Sequence, residues 1–278
     1  MKMHLADHVE VLPQCRLWLA YFEGDSEGSI AATAQDIAEA KLSTQDLYRW
    51  QQFRPAAKKR QFLNSRLAIR AVLKREFGND AENITYDSDA FGCPILRSRE
   101  KLAHVPHISL SHSENAVAVG ISDAEYPVGV DIKVSNPLRT DALRFVALHP
   151  HEQAWCDLHA GRKSEALTTL WTIKEAVWKT LREMQDIPFS DISVLFDCGK
   201  PRPAISNCHG EAPQFRTQVF VQNTKAIVPD SLCLSNSFVA LRDCVAQRGQ
   251  FSNEFLLRAW PNHEGSSRIK SQDAMQGS

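Results

Sequence analysis

A long helix is expected from about Lys163 to Met184. The segment Trp171-Thr172-Ile173-Lys174-Glu175-Ala176-Val177-Trp178-Lys179 inside it constrains the chain more than any other. The carboxylate at 175 and the ammonium at 179 stand four residues apart, so both project from one helix face. Spacing alone does not decide the use of that face, because an ordinary Glu-to-Lys pair at this separation adds only about 0.3 to 0.5 kcal/mol to a helix. The indoles of Trp171 and Trp178 weigh against a plain solvated surface.

Two further islands lie upstream. Val128-Gly129-Val130-Asp131-Ile132-Lys133 reads as a strand with a single acid between β-branched residues. A carboxylate in a buried strand is costly unless it is paired or binds a metal. Asp131 therefore either closes the strand through a backbone hydrogen bond or serves as a metal ligand. Ile108-Ser109-Leu110-Ser111-His112-Ser113 ends in three consecutive hydrogen-bonding side chains, which suit a phosphate better than a core. No Gly-x-Ser-x-Gly turn surrounds Ser111 or Ser113, which argues against a nucleophilic serine. An acid pair with a His-Ser cluster suits a phosphate ester held by a divalent cation.

Around these islands the pattern is mixed. Apolar residues at Phe62, Leu63, Ile69, Val72, Leu73 and Phe77 follow helical spacing over 58–77, and Gly78-Asn79-Asp80 ends the run. Lys59, Arg66, Arg70 and Lys74 form a basic stripe on another face. Two short strands are expected at Ile84-Thr85-Tyr86 and Pro94-Ile95-Leu96. Two more, His107 to Ser111 and Ala116 to Ile121, should be joined by a turn at His112 to Asn115. Residues 123–127 mark a boundary. Beyond it come a strand from Val128 to Val134, helical stretches at 141–147 and 152–159, and the long helix. Strands at 192–196, 215–222 and 238–241 follow. The fold class is α+β, with no internal sequence repeat. The domains expected are 1–125, 126–246 and a polar, disordered tail at 247–278.

Composition narrows the partners. The 278 residues carry 32 basic and 33 acidic side chains, a formal net charge of −1. Neither a polyanion nor a membrane is implied as the main partner. No window approaches the roughly 20 apolar residues that cross a bilayer, and the N-terminus lacks a signal-peptide core. Seven scattered cysteines form no Cys-x-x-Cys pair. A reduced, cytoplasmic protein is expected.

In order and spacing, the three islands resemble the 4′-phosphopantetheinyl transferases of the surfactin-synthetase-activating type. That family carries Leu-Ser-His-Ser, matched by Leu110 to Ser113, and Trp-x-x-Lys-Glu-Ala-x-x-Lys, matched by Trp171 to Lys179. Its Gly-(Ile/Val)-Asp-(Ile/Val)-Glu motif is matched from Gly129 to Ile132. The chain then departs, with Lys133 in place of the acid. A weaker match, Phe91-Gly92-Cys93-Pro94, has Cys93 where the family has lysine. The resemblance covers roughly Arg54 to Asp197.

The resemblance implies a pseudo-two-fold arrangement of two similar α+β halves with the active site between them. It implies Mg²⁺-dependent transfer of the 4′-phosphopantetheine arm of coenzyme A to a serine of an apo acyl or peptidyl carrier protein. Asp131 and Glu175 would hold the metal, and Glu175 would help deprotonate the serine. Lys179 would contact the diphosphate and the leaving group. His112 with Ser111 would meet the 3′-phosphate of coenzyme A, with Arg66, Lys174, Lys59 and Arg70 also on the coenzyme A side. Lys133 would repel a metal or point away from it. A monomer is expected. Two other readings stay open: a non-catalytic protein that binds coenzyme A or a carrier domain, and a nucleic-acid-binding module using the stripe at 58–75. The absence of net positive charge and of a recognisable nucleic-acid motif weighs against the second.

Overall fold

The structure, a computed structural model, describes residues 2–6, 8–12, 14–23, 38, 40–88, 94–98, 105–123, 127–133, 149–181, 187–197, 200–205, 214–220 and 236–243. The 141–147 stretch, the Phe91-Gly92-Cys93 match and the 247–278 tail lie outside these residues.

The N-terminal part is built on an antiparallel sheet that the sequence reading did not anticipate. Strand β1 (Lys2–Leu5) and strand β2 (Val9–Leu12) pair in succession along one edge of β3 (Cys15–Glu23). Helix α1 (Thr44–Gln52) follows, with the Ser43 hydroxyl accepting from the Asp46 amide at 3.0 Å as its N-cap. Helix α2 (Ala56–Phe77) is the long amphipathic helix expected at 58–77, and Gly78, at φ 56°, ends it. Then come the β4–β5 ribbon (Ile84–Ser88 with Pro94–Ser98) and the β6–β7 hairpin (His107–Ser113 with Ala116–Ser122). The hairpin turn is tighter than expected. Ser113 pairs with Ala116, so His112 and Ser113 belong to the strand and only Glu114 and Asn115 turn. Strand β7 pairs with β3, giving the order β1-β3-β7-β6. Ala68, Ile69, Val72 and Leu73 of α2 pack on Trp18, Phe22, Val119 and Ile121 of this sheet. Each large apolar side chain so buried contributes about 1.5 to 3 kcal/mol.

The C-terminal part begins with β8 (Val128–Lys133) and continues through α3 (Pro150–Leu158) to α4 (Lys163–Thr180). The ribbon β9–β10 (Ile192–Asp197 with Lys200–Ile205) follows, then β11 (Gln214–Phe220) and β12 (Asn236–Asp243). Strands β11, β12 and β8 form an antiparallel sheet in that order. Helix α4 ends at Thr180, short of the expected Met184. Leu170, Ile173 and Val177 of α4 share a core with Cys156 of α3 and Ile192 and Val194 of β9. The mixture of helix and antiparallel sheet is the α+β class read from the sequence.

The two parts are joined through β6, β7 and β8. Gly120 of β7 makes room for β8, since a Cβ there would lie 2.4 Å from Val130 Cγ2. The Val130 amide donates to Ser109 Oγ at 3.0 Å and the Ile132 amide to Ser111 Oγ at 3.2 Å. Serine hydroxyls thus satisfy two buried backbone donors of β8, as a neighbouring strand's carbonyls would.

Candidate functional site

Gly129 decides where α4 can lie. A Cβ on it would stand 1.8 Å from the Ala176 carbonyl oxygen and 2.9 Å from Thr180 Cγ2, so only glycine lets the helix backbone rest on β8. That contact sets the next turn of α4 beside Asp131. The Lys179 ammonium donates to Asp131 Oδ1 at 2.8 Å and to the Val130 carbonyl at 2.8 Å. Ser111 Oγ, on the other side, donates to Asp131 Oδ1 at 2.7 Å. Asp131 is 2 % exposed, and its second oxygen, Oδ2, is buried with no hydrogen-bond partner among the described residues. A buried carboxylate oxygen left so is costly.

Glu175 joins this centre electrostatically. Burial pushes its carboxyl above the usual range, and the charge of Asp131 adds to the effect while Lys179 and Lys133 oppose it. His112 is held below the usual imidazole range, first by burial and then by the charges of Lys133, Lys179 and Lys58. Its Nδ1 is buried without a hydrogen-bond partner among the described residues. Residues from four elements therefore bear on this centre: Ser111, Asp131 and Lys179 by direct hydrogen bonds, and His112, Glu175, Lys133 and Lys58, the last from the first turn of α2, through their charges or burial.

Among the described residues, no group of three or more His, Cys, Asp or Glu side chains is gathered as a metal-binding cluster. Among the described residues the donors are two carboxylates, one with a buried oxygen that has no hydrogen-bond partner there. That set fits Mg²⁺, which takes one or two carboxylates and completes its shell with water and substrate phosphate.

Other expected site residues do not come to this centre. Lys174 is fully buried on the opposite side of α4, 2.8 Å from Glu152 Oε2. Glu152 also accepts from the amides of His149 at 2.9 Å and Val194 at 2.8 Å. An ammonium with no exposed surface cannot meet coenzyme A, so the expected ligand role of Lys174 is corrected to an ion pair inside the C-terminal core. Arg66 is likewise buried. It grips Asp46 through Nε at 2.6 Å and Nη2 at 2.8 Å, and Nη1 donates to the Tyr86 hydroxyl at 3.0 Å. The rings of Phe62 and Tyr86 lie 4.1 and 4.2 Å from its guanidinium carbon. This shields a neutralised ion pair rather than presenting a phosphate site. Arg70 leans on Glu82 at 3.3 Å, and Lys59 stands over the Trp50 ring at 4.9 Å.

Sequence reasoning missed Glu152 and did not single out Lys58 from its stripe. A helix-start acid followed by a buried-looking lysine 22 positions later carries no short-range signal. The proximity of Lys58 to His112 is likewise a product of the tertiary fold.

Comparison with known proteins agrees with this architecture. Residues 127–235 match the family model of the 4′-phosphopantetheinyl transferase superfamily, which spans β8, α3 and α4. This part of the chain is similar to that superfamily. Among its relatives is a Synechocystis sp. protein provisionally named 4′-phosphopantetheinyl transferase, 29% identical over 174 residues, or 61% of this chain and 65% of the relative. The 4′-phosphopantetheinyl transferase psf-1 of Bacillus pumilus is 28% identical over 46% of this chain and 53% of its own. HetI of Nostoc sp., which carries the same enzyme name, is 28% identical over 52% of this chain and 61% of its own. The chain thus spans less than two thirds of the length of these relatives.

Proposed function

We propose that this protein transfers the 4′-phosphopantetheine arm of coenzyme A to a serine of an apo acyl or peptidyl carrier protein, as an enzyme of the surfactin-synthetase-activating type. The observation that carries the reading is the convergence of Asp131, Glu175 and Lys179 from β8 and α4, with Asp131 Oδ2 buried and without a hydrogen-bond partner among the described residues. The superfamily match over the same elements supports it. So do relatives named for the same activity. The pseudo-two-fold pairing of halves 1–125 and 126–246 belongs to this proposal. Its support is one long helix packed on an antiparallel sheet in each half.

The residues divide the work as follows. Glu175, with its carboxyl pushed towards neutrality, accepts the proton of the incoming serine hydroxyl. The serine oxygen forms a bond to the phosphorus of the phosphopantetheine arm as the anhydride bond breaks. Adenosine 3′,5′-bisphosphate leaves. Lys179, fixed by Asp131 and the Val130 carbonyl, sets an ammonium beside the departing phosphate. His112, held uncharged, donates a hydrogen bond to the 3′-phosphate. Asp131 and Glu175 would hold Mg²⁺, which when bound supplies charge neutralisation of the diphosphate.

Intact-mass measurement tests the proposal. The protein is incubated with coenzyme A, Mg²⁺ and a panel of apo carrier proteins. The expected result is a carrier heavier by one phosphopantetheine arm. Tight binding of coenzyme A with no mass gain on any carrier would replace this reading with a non-catalytic coenzyme A-binding role, towards which Lys133 at the carboxylate pair points.

A further inference from the structure

Helix α4 is buried on almost every side. Within residues 166–180, Trp178 alone is exposed, at 43 %, while Leu170, Ile173, Ala176 and Val177 are closed into a core. Trp178 is also the one tryptophan among the exposed large apolar side chains of the described residues. An indole left in water leaves a large apolar surface unburied, and such rings are enriched where another protein covers them.

The place of Trp178 on the helix ties it to the chemistry. At about 3.6 residues per turn, Lys179 lies about 40° from Glu175 around the axis of α4 in one direction, and Trp178 about 60° from it in the other. The Lys179 flank is engaged by β8, since the ammonium reaches Asp131 Oδ1 and the Val130 carbonyl, each at 2.8 Å. In the proposed reaction that flank is the side of the departing phosphate. The attacking and leaving oxygens of a phosphoryl transfer lie roughly in line, on opposite sides of phosphorus. The acceptor serine therefore enters over the other flank of Glu175, the one that carries Trp178. That serine belongs to a folded protein. When its hydroxyl is within hydrogen-bond reach of Glu175, about 2.6 to 3.2 Å, the protein surface around it lies against this flank.

We infer that the Trp178 indole is a docking contact for the carrier protein, packing on apolar side chains beside its acceptor serine. This rests on the proposed transfer reaction and adds to it a contact made with the macromolecular substrate and not with coenzyme A. Large aromatic rings at the centre of an interface carry a disproportionate share of its affinity. Trp178 is placed for that part, one helical turn from the group that takes the serine proton.

The test is calorimetric and needs no turnover. A panel of apo carrier proteins is titrated into the full chain without coenzyme A, and coenzyme A is titrated separately. The variants are Trp178→Ala, Trp178→Gln and Trp178→Phe, each checked for an unchanged melting transition. Leu158→Ala, at an exposed apolar position of α3, is the control. The expected result is measurable binding of at least one carrier to the wild-type protein. Trp178→Ala and Trp178→Gln should weaken it by about 30-fold, equivalent to about 2 kcal/mol, the size of a central aromatic contact. Trp178→Phe should keep most of the affinity and Leu158→Ala all of it, while coenzyme A binds every variant as it binds the wild type. Equal carrier affinity for the wild type, Trp178→Ala and Trp178→Gln would overturn the inference and, with the carrier still modified, leave the transfer reaction standing. A matching loss of coenzyme A affinity would place the ring on the nucleotide side and overturn it too. Self-association of the wild type that both variants lose, with carrier affinity unchanged, would assign the ring to a second copy of this chain instead. Carrier binding that depends on Trp178, with no carrier modified, would uphold the docking contact and reject the transfer reaction. No binding and no modification of any carrier would reject both.

Discussion

Replacing Gly129 with alanine should separate the two carboxylates and destabilise the protein together. The new Cβ would lie 1.8 Å from the Ala176 carbonyl oxygen, whereas an ordinary C···O contact is about 3.3 Å. Helix α4 must therefore retreat from β8 by about 1.5 Å, the difference between those distances. The obstacle is backbone, so no rotamer change relieves it, and Thr180 Cγ2 at 2.9 Å closes a second direction. Overpacking of this kind costs about 1 to 3 kcal/mol, and a backbone clash belongs at or above the upper end. At about 3 kcal/mol, the melting temperature should fall by roughly 6 to 12 °C. The same retreat carries Glu175 and Lys179 away from Asp131, and a displacement of about 1 Å can cost about 100-fold in rate. Urea denaturation measures the first effect and carrier mass gain the second. Gly161→Ala is the control, because its Cβ would meet nothing within 4 Å. If Gly129→Ala matched that control in both stability and rate, glycine would not be what sets the α4–β8 contact.

Lys174→Met should cost about 3 to 5 kcal/mol in urea denaturation, because it leaves the buried Glu152 charge without its cation. A small loss would show that water reaches Glu152. Glu175→Gln should stabilise the metal-free protein at pH 7. The folded-state pKa of Glu175 is raised above 4.5, so its charged form weakens the fold once the pH passes that raised value. The advantage of the variant should shrink as pH falls and vanish below 4.5, as read from denaturation midpoints in EDTA. His112→Ala should raise KM for coenzyme A about tenfold, the size of one hydrogen bond to a charged group. KM for 3′-dephospho-coenzyme A should barely change, and equal effects on the two substrates would remove His112 from the phosphate site.

The parts of the fold with strong periodicity were legible. Helix α2, the β4–β5 ribbon, the β6–β7 hairpin, β8 and α4 all lie within a few residues of expectation, marked by helical periodicity in α2 and by short apolar or alternating runs bounded by turns in the strands. Strand β3 was missed: Trp18 to Phe22 are all buried, so it shows no alternation, and it carries no motif of the kind that drew attention to β8. Helix α1 was overlooked although Ser43 and Asp46 form a capping signal that could have marked it. Strand β10 contains Pro201 and Pro203, which argue against a strand and are tolerated where, among the described residues, it pairs with β9 alone. In the site, Asp131, Glu175 and Lys179 could be chosen from motif and helix spacing. The burial of Arg66 on Asp46 and of Lys174 on Glu152 could not, since each partner lies 20 or more residues away. A basic side chain on a helix reads alike whether it meets a ligand or an internal acid.

The central claim is that Asp131 and Glu175 carry the transfer chemistry. The most direct measurement is the rate at which an apo carrier gains the arm, by intact mass at saturating Mg²⁺ and coenzyme A, for the wild type and for Glu175→Ala. Loss of a preorganised electrostatic group of this kind should lower the rate at least about 100-fold, with the fold retained. Near-native turnover by Glu175→Ala would contradict the account and return Glu175 and Lys179 to an ordinary helix pair.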